Sequence, residues 1–351
     1  MLHKFAKFVV ASTVLLILAG SLVTSHDAGL SVPDWPTTYG WNMFTFPPRM
    51  WVANIFYEHG HRLIASSVGF LTIVLAAWLW MKDPRRWLHW FGVAALGAVI
   101  AQGLLGGLTV LFFLPPAVST AHAALAEIFF CMTVAIALFT SPGWIHGFEN
   151  DDDSRVARSQ SVALPLRRLA TLTTALVFVQ ILVGATMRHT GAGLAIPDFP
   201  LMFGGLVPDH WDAKIAVHFA HRLGALIVAA AVLSTAIYTW RSDINRVELA
   251  NPALKLVLLT ILQVILGALT IITARNPWIN SVHVVCGALV LTTSLVITLR
   301  CWRDRFADEV RLKPDVTPAN AVLALRSAVV SRLQPDADRV GALQPDRRGP
   351  A

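Results

Sequence analysis

Ala28-Gly29-Leu30-Ser31-Val32-Pro33-Asp34-Trp35-Pro36 returns as Ala192-Gly193-Leu194-Ala195-Ile196-Pro197-Asp198-Phe199-Pro200, an offset of 164 residues (192 − 28). Three more blocks repeat in the same order. Glu58-His59-Gly60-His61-Arg62-Leu63 returns as His218-Phe219-Ala220-His221-Arg222-Leu223. Gln102-Gly103-Leu104-Leu105-Gly106-Gly107-Leu108-Thr109 returns as Gln263-Val264-Ile265-Leu266-Gly267-Ala268-Leu269-Thr270, and Ser119-Thr120-Ala121-His122 aligns with Asn280-Ser281-Val282-His283. The offset stays between 160 and 164 residues, so one unit has been duplicated in tandem.

The solvent for that unit is lipid. Of 351 residues, 55% are hydrophobic and only 14% are charged, against about 25% in an ordinary soluble domain; the mean hydropathy is +0.60. The net charge of +7 does not point to nucleic acid, because the cations sit at the ends of apolar runs and form no single patch. Cys131, Cys286 and Cys301 lie in or at the end of apolar runs and form no CxxC, so they read as small buried hydrophobes.

Eight apolar windows are long enough to cross a bilayer: 5–24, 54–80, 87–113, 117–140, 168–188, 213–239, 253–274 and 279–300. The first resembles a cleavable signal peptide. It reads instead as a span, because the segment after it recurs behind a helix deep in the chain. Lys4, Lys7, Lys82, Arg85, Arg86, Arg155, Arg158, Arg167, Arg168, Arg241, Arg246, Lys255, Arg300, Arg303 and Arg305 fall on one side, whereas the other has only Arg49, Arg188, Lys214 and Arg275, beside Asp27, Asp34, Asp198, Asp209 and Asp212. The positive-inside rule then puts both termini in the cytoplasm. Four spans repeating as four spans keep their orientation, which predicts an all-α membrane protein of two tandem four-helix bundles related by a pseudo-twofold axis along the membrane normal. The expected divisions are an N-terminal bundle (1–140), a polar cytoplasmic linker (141–167), a C-terminal bundle (168–303) and a polar, Pro-rich tail (304–351) too poor in apolar residues to pack a core.

Ionisable groups inside spans mark function. His61 and His122 fall at similar depth near the outer face, and His221 and His283 repeat the arrangement. Two imidazoles facing each other across a helix bundle suit the axial ligation of a haem iron. No HExxH, no cysteine beside the pairs and no carboxylate cluster suggests another metal. Arg62 and Arg222 each follow a histidine directly and are candidates to pair with haem propionates. The copies differ at one telling position: Glu58 stands three residues before His61, and His218 takes that place before His221. Residues i and i+3 share a helix face, so Glu58 is a candidate for moving protons beside whatever His61 binds, and His218 is expected at the second haem's edge. Gly106-Gly107 and Gly267-Ala268 read as points of close helix approach, and the Pro-Asp-Trp-Pro and Pro-Asp-Phe-Pro loops as caps over the pockets. His26, His59 and His189 are expected nearer the outer surface, without an assigned role.

An ExxHR motif opening the second span, HxxHR opening the sixth, and one histidine opening each of the fourth and eighth resemble the haem A synthase family over about residues 5–303. That resemblance implies an oxidoreductase converting the C8 methyl of haem O to the formyl of haem A by successive hydroxylations, for cytochrome oxidase assembly, in the bacterial cell membrane. It implies His61 and His122 around the substrate haem with Glu58 catalytic, and His221 and His283 ligating a resident haem b. Haem O synthase and cytochrome oxidase assembly factors become candidate partners, and a homo-oligomer a candidate assembly. One departure concerns subtype: residues 25–53 lack the outer-loop cysteine pair of some members. The rival readings are a di-haem b-type electron-transfer protein and a non-catalytic haem carrier, neither of which requires Glu58.

Overall fold

The computed structural model describes residues 1–145, 162–243, 246–303 and 306. Among them, eight helices are long and apolar enough to cross a membrane, and no β-strand is present beyond two isolated bridges. They are α1 (Leu2–Ser25), α2 (Asn54–Lys82), α3 (Arg86–Leu111), α4 (Pro116–Phe139), α5 (Leu164–His189), α6 (Ala213–Asp243), α7 (Val247–Ile272) and α8 (Pro277–Cys301). The chain is a multi-pass membrane protein. Helices suit it because each satisfies its own backbone polar groups where water is absent. Buried hydroxyls follow the same rule by closing onto the carbonyl one turn earlier, as Thr13 does to Val9, Thr72 to Val68 and Thr239 to Thr235.

The contacts between helices follow the duplication. Helices α1 to α4 form one closed ring of neighbours, α1–α2–α3–α4–α1, and α5 to α8 form the other. Between the rings, α1 meets α8, α4 meets α5, and α4 meets α8. Exchanging the halves swaps the first two contacts and maps the third onto itself, a pattern compatible with a two-fold relation. Accordingly α4 and α8 are the most buried spans.

The helix ends match the sequence reading to within a few residues except at α7, which starts at Val247 where 253 was expected. Pro252 lies inside the helix. A proline has no N–H, so the carbonyl four residues earlier, on Glu248, loses its helical donor. The Arg300 guanidinium from α8 donates to that carbonyl instead. Similarly α5 starts at Leu164, taking up an arginine that composition alone would leave outside: Arg167 is buried, donates to Val162 O at 2.8 Å and lies over the Trp302 ring. Cys286 and Cys301 are buried and Cys131 is half-buried. The acidic run at 149–153 and the tail repeats at 312–346 lie outside the described residues.

Candidate functional site

The outer loops after α1 and α5 are copies of each other in backbone as well as sequence. Thr38 pairs with Trp41 in one isolated bridge, and Met202 with Gly205 in the other, again 164 apart (202 − 38). Both turns pass through the left-handed region, at Tyr39 and Gly40 (φ 51 and 75) and at Phe203 and Gly204 (φ 55 and 80). An aspartate closes each: Asp34 accepts from the N–H groups of Tyr39 and Gly40, and Asp198 from those of Phe203 and Gly204. Burial pushes the Asp34 carboxyl up, but hydrogen bonds from Gly40, Thr37 and Tyr39 outweigh it and hold it below the usual carboxylate range. The N–H groups of Gly204 and Phe203 likewise hold Asp198 low.

Each loop is then fastened to the next helix by its HR motif. Arg62 donates to the carbonyls of Val32, Asp34 and Thr37 at 2.8–3.0 Å and to Glu58 Oε1 at 2.7 Å. Glu58 Oε2 accepts the Val32 N–H at 2.8 Å. In the second half, Arg222 donates to the carbonyls of Ile196, Asp198 and Leu201, and its Nε lies 3.2 Å from His218 Nε2. His218 Nδ1 lies 3.2 Å from Ile196 N; a neutral imidazole has one acceptor nitrogen, so the ring accepts from either this N–H or Arg222 Nε. Glu58 and His218 therefore occupy the same place in the same clamp. Arg62 and Arg222, expected to meet haem propionates, are bonded here to loop carbonyls, and the ring nitrogens of His218 lie against Ile196 N and Arg222 Nε. Spacing along one helix shows which face a residue is on, but not that a loop folds back to meet it.

The four candidate ligands are each seated against a glycine of the preceding helix. A Cβ on Gly20 would lie 2.9 Å from His61 Cε1, and one on Gly184 would lie 2.8 Å from His221 Cε1. Gly106 and Gly267 stand in the same relation to His122 and His283, at 3.2 Å in both cases. These glycines were expected to bring helix backbones together, whereas what they admit are imidazole rings. Next to Gly106, Gly107 admits the Trp35 ring, which a Cβ would meet at 2.5 Å. Trp35 of the Pro-Asp-Trp-Pro loop therefore packs on α3 one residue from the seat of His122. In the second half, Ala268 stands where Gly107 does, and Phe199 remains exposed near Arg222.

Within each half the two rings lie in electrostatic reach of each other, His61 with His122 and His221 with His283. Glutamines attend three of the four. Gln180 Nε2 lies 3.0 Å from His221 Nδ1 and donates to His221 O at 2.7 Å. Gln102 lies 3.4 Å from His122 Nε2, and Gln263 3.4 Å from His283 Nε2. His61 has no such partner, because Leu16 stands where Gln180 does (180 − 164).

The donors fit a haem iron. Each half offers two imidazoles and no thiolate, and no cluster of three or more His, Cys, Asp or Glu residues occurs among the described residues. The Nδ1 atoms of His61, His122 and His283 are buried without a hydrogen-bond partner, leaving their orientation to be fixed by a ligand on the ring. The other histidines have local duties. His59, expected nearer the surface, is fully buried beneath Phe46 and Trp51 and bonds to Thr38. His26 stacks on Tyr57 at 4.0 Å, and His189 is half-buried at the end of α5.

Comparison with known proteins agrees with this construction. The family model COX15-CtaA, cytochrome oxidase assembly protein, matches residues 3–295. The chain belongs to this family. Its relatives include proteins named haem A synthase from Halalkalibacterium halodurans, 25% identical, covering 83% of this chain and 94% of the relative; from Shouchella clausii, 28% identical, covering 82% and 91%; and from Symbiobacterium thermophilum, 30% identical, covering 74% and 83%. In COX15-CtaA terms, the matched region takes in α1 to α7 and most of α8, with both histidine pairs, both clamps and all four glycine seats.

Proposed function

We propose that this chain is a haem A synthase, an oxidoreductase that converts a methyl group of haem O into the formyl group of haem A. The observation that carries this reading is the pair of matched sites. Two histidines in each half are seated on glycines, and only the first half carries a carboxylate, Glu58, one turn outward of its ligand.

In this reading His61 and His122 bind the substrate haem O in the N-terminal bundle (1–140), and His221 and His283 hold a resident haem b in the C-terminal bundle (168–303). Haem b supplies electron transfer when bound. The residues of this chain bind, orient and exclude water. Trp35 on Gly107 closes the first site from outside, and the Arg62 clamp keeps that loop in place. Glu58 accepts a proton released during methyl oxidation, and Arg62 at 2.7 Å stabilises the carboxylate. His218 cannot replace it as a carboxylate, which supports assigning the chemistry to the first half. Leu16 beside His61, where the second half has Gln180, leaves the substrate ligand less constrained than the cofactor ligand. We place both ends of the spanning region on the cytoplasmic side of a bacterial cell membrane, on the distribution of lysine and arginine.

The test is haem extraction from cells that make haem O, with and without this gene. Haem A forming only with the gene supports the synthase. Unchanged haem A content with haem bound to both pairs would leave a di-haem electron carrier.

A further inference from the structure

The clamps leave the propionates of a bound haem without the two arginines expected to receive them. Arg188 offers an alternative. It lies four residues after Gly184, hence on the face of α5 that seats His221, one turn farther out. Its Nη2 donates to Ser21 O at 2.6 Å and to Ser25 Oγ at 2.8 Å. Ser25 Oγ also accepts from Asn280 Nδ2 at 3.1 Å, and Asn280 lies one turn outward of His283 on the same face of α8. Arg188 is thus fixed from two directions at a point one turn above both second-half histidines. Its Nε is buried and bonds to nothing, and it makes no ion pair among the described residues. Arg275 and Asp27 are both within electrostatic reach, Asp27 standing exposed just beyond α1.

A buried guanidinium N–H without an acceptor is costly, and the exposed Asp27 makes no ion pair with it among the described residues, so the Nε side of Arg188 suits a further anion. The first half has no equivalent. Thr24 stands four residues after Gly20 where Arg188 follows Gly184, and Leu114 packs on Gly29 where Arg275 reaches Gly193.

We infer that Arg188, with Arg275 beside it, forms a cationic rim that binds the carboxylates of the haem held by His221 and His283. The first pair lacks this rim. This rests on the haem reading above and deepens it: the second site is built to retain a dicarboxylate amphiphile, and the first to let one go.

The probes are haem b and its dimethyl ester, which has the same ring and iron but no carboxylates. Each is titrated into the haem-depleted full chain carrying H122A, so that the second pair is the one observed. The parent should prefer haem b by roughly 10- to 100-fold, the range of one or two charge-assisted hydrogen bonds. R188Q should erase most of that preference while leaving ester affinity within about threefold, and R188K should keep part of it. Equal affinity of the parent for haem b and its ester overturns the rim, and that comparison needs no variant at Arg188 to fold. Full preference retained in R188Q overturns it as well. A separate outcome bears on the underlying reading: if H221A and H283A bind haem b as tightly as the parent, the second pair is not a haem site.

Discussion

Replacing Glu58 by alanine removes both acceptors of the first-half clamp at once. Arg62 and Glu58 are 2.7 Å apart with side chains only 10% and 5% exposed, so the pair is largely desolvated. Losing one partner of a buried pair costs about 3–5 kcal/mol, because the remaining charge is stranded. Here three loop carbonyls still receive Arg62, which pulls the figure to the lower end. The Val32 N–H also loses its acceptor, at about 1–3 kcal/mol. Together the cost of E58A is on the order of 4 kcal/mol, localised to the loop over the first site. E58H and E58Q should each cost less than E58A, about 2–3 kcal/mol, because a neutral imidazole or an amide oxygen still accepts from one of Val32 N–H and Arg62, as His218 does for one of its two donors in the second half. The assay is limited proteolysis of the loop spanning residues 28–53 in detergent, with thermal unfolding alongside. E58A should be cut fastest, with E58H and E58Q between it and the parent, and neither E58H nor E58Q should make haem A. If E58A leaves protection unchanged, the clamp is not what holds the loop. If E58H is fully active, Glu58 is a fastener and nothing more.

Other outcomes follow from the same contacts. G20A and G184A place a methyl 2.8–2.9 Å from an imidazole carbon, so the ring must move. Each should cost about 1–3 kcal/mol and alter the visible haem spectrum, whereas G60A, whose Cβ meets nothing within 4 Å, should leave the spectrum unchanged. R300A should destabilise by about 1–3 kcal/mol by orphaning the Glu248 carbonyl. Adding P252A restores the helical donor and should recover part of that loss in a thermal-unfolding cycle. The Asp34 carboxyl is held below its ordinary value of 3.8 by loop N–H groups, so its stabilising effect is present above that pH and lost as pH falls through the lower folded value. Proteolysis of the first loop should accelerate below about pH 4 in the parent and less so in D34N, which starts from a weaker loop.

The duplication made most of the architecture legible. Eight spans, their pairing across the halves and the four histidines all follow from blocks that repeat in order. The start of α7 before Pro252 was not legible, because a proline ordinarily ends a helix and only a residue 48 positions away, Arg300 (300 − 252), supplies the missing donor. The contacts of Arg62 and Arg222 with their loops were not legible for a related reason. An arginine next to a candidate ligand looks available until the loop that encloses it is seen. The glycine seats were half-visible: Gly106 and Gly267 recur in the repeated block, but spacing does not say whether a ring or a helix fills the gap. Arg188 was hidden by its position at a helix end, where an arginine reads as interfacial. The signal that could have found it was the same offset of 164, which sets it opposite Thr24 (188 − 164).

The division of labour between the halves is tested most directly by the haem inventory of two purified variants, H122A and H283A, prepared side by side from cells that make haem O. H122A should retain haem b and form no haem A, and H283A should lose haem b. Loss of haem b from H122A with its retention in H283A, or identical haem content in both, would contradict the assignment of the resident cofactor to the second half.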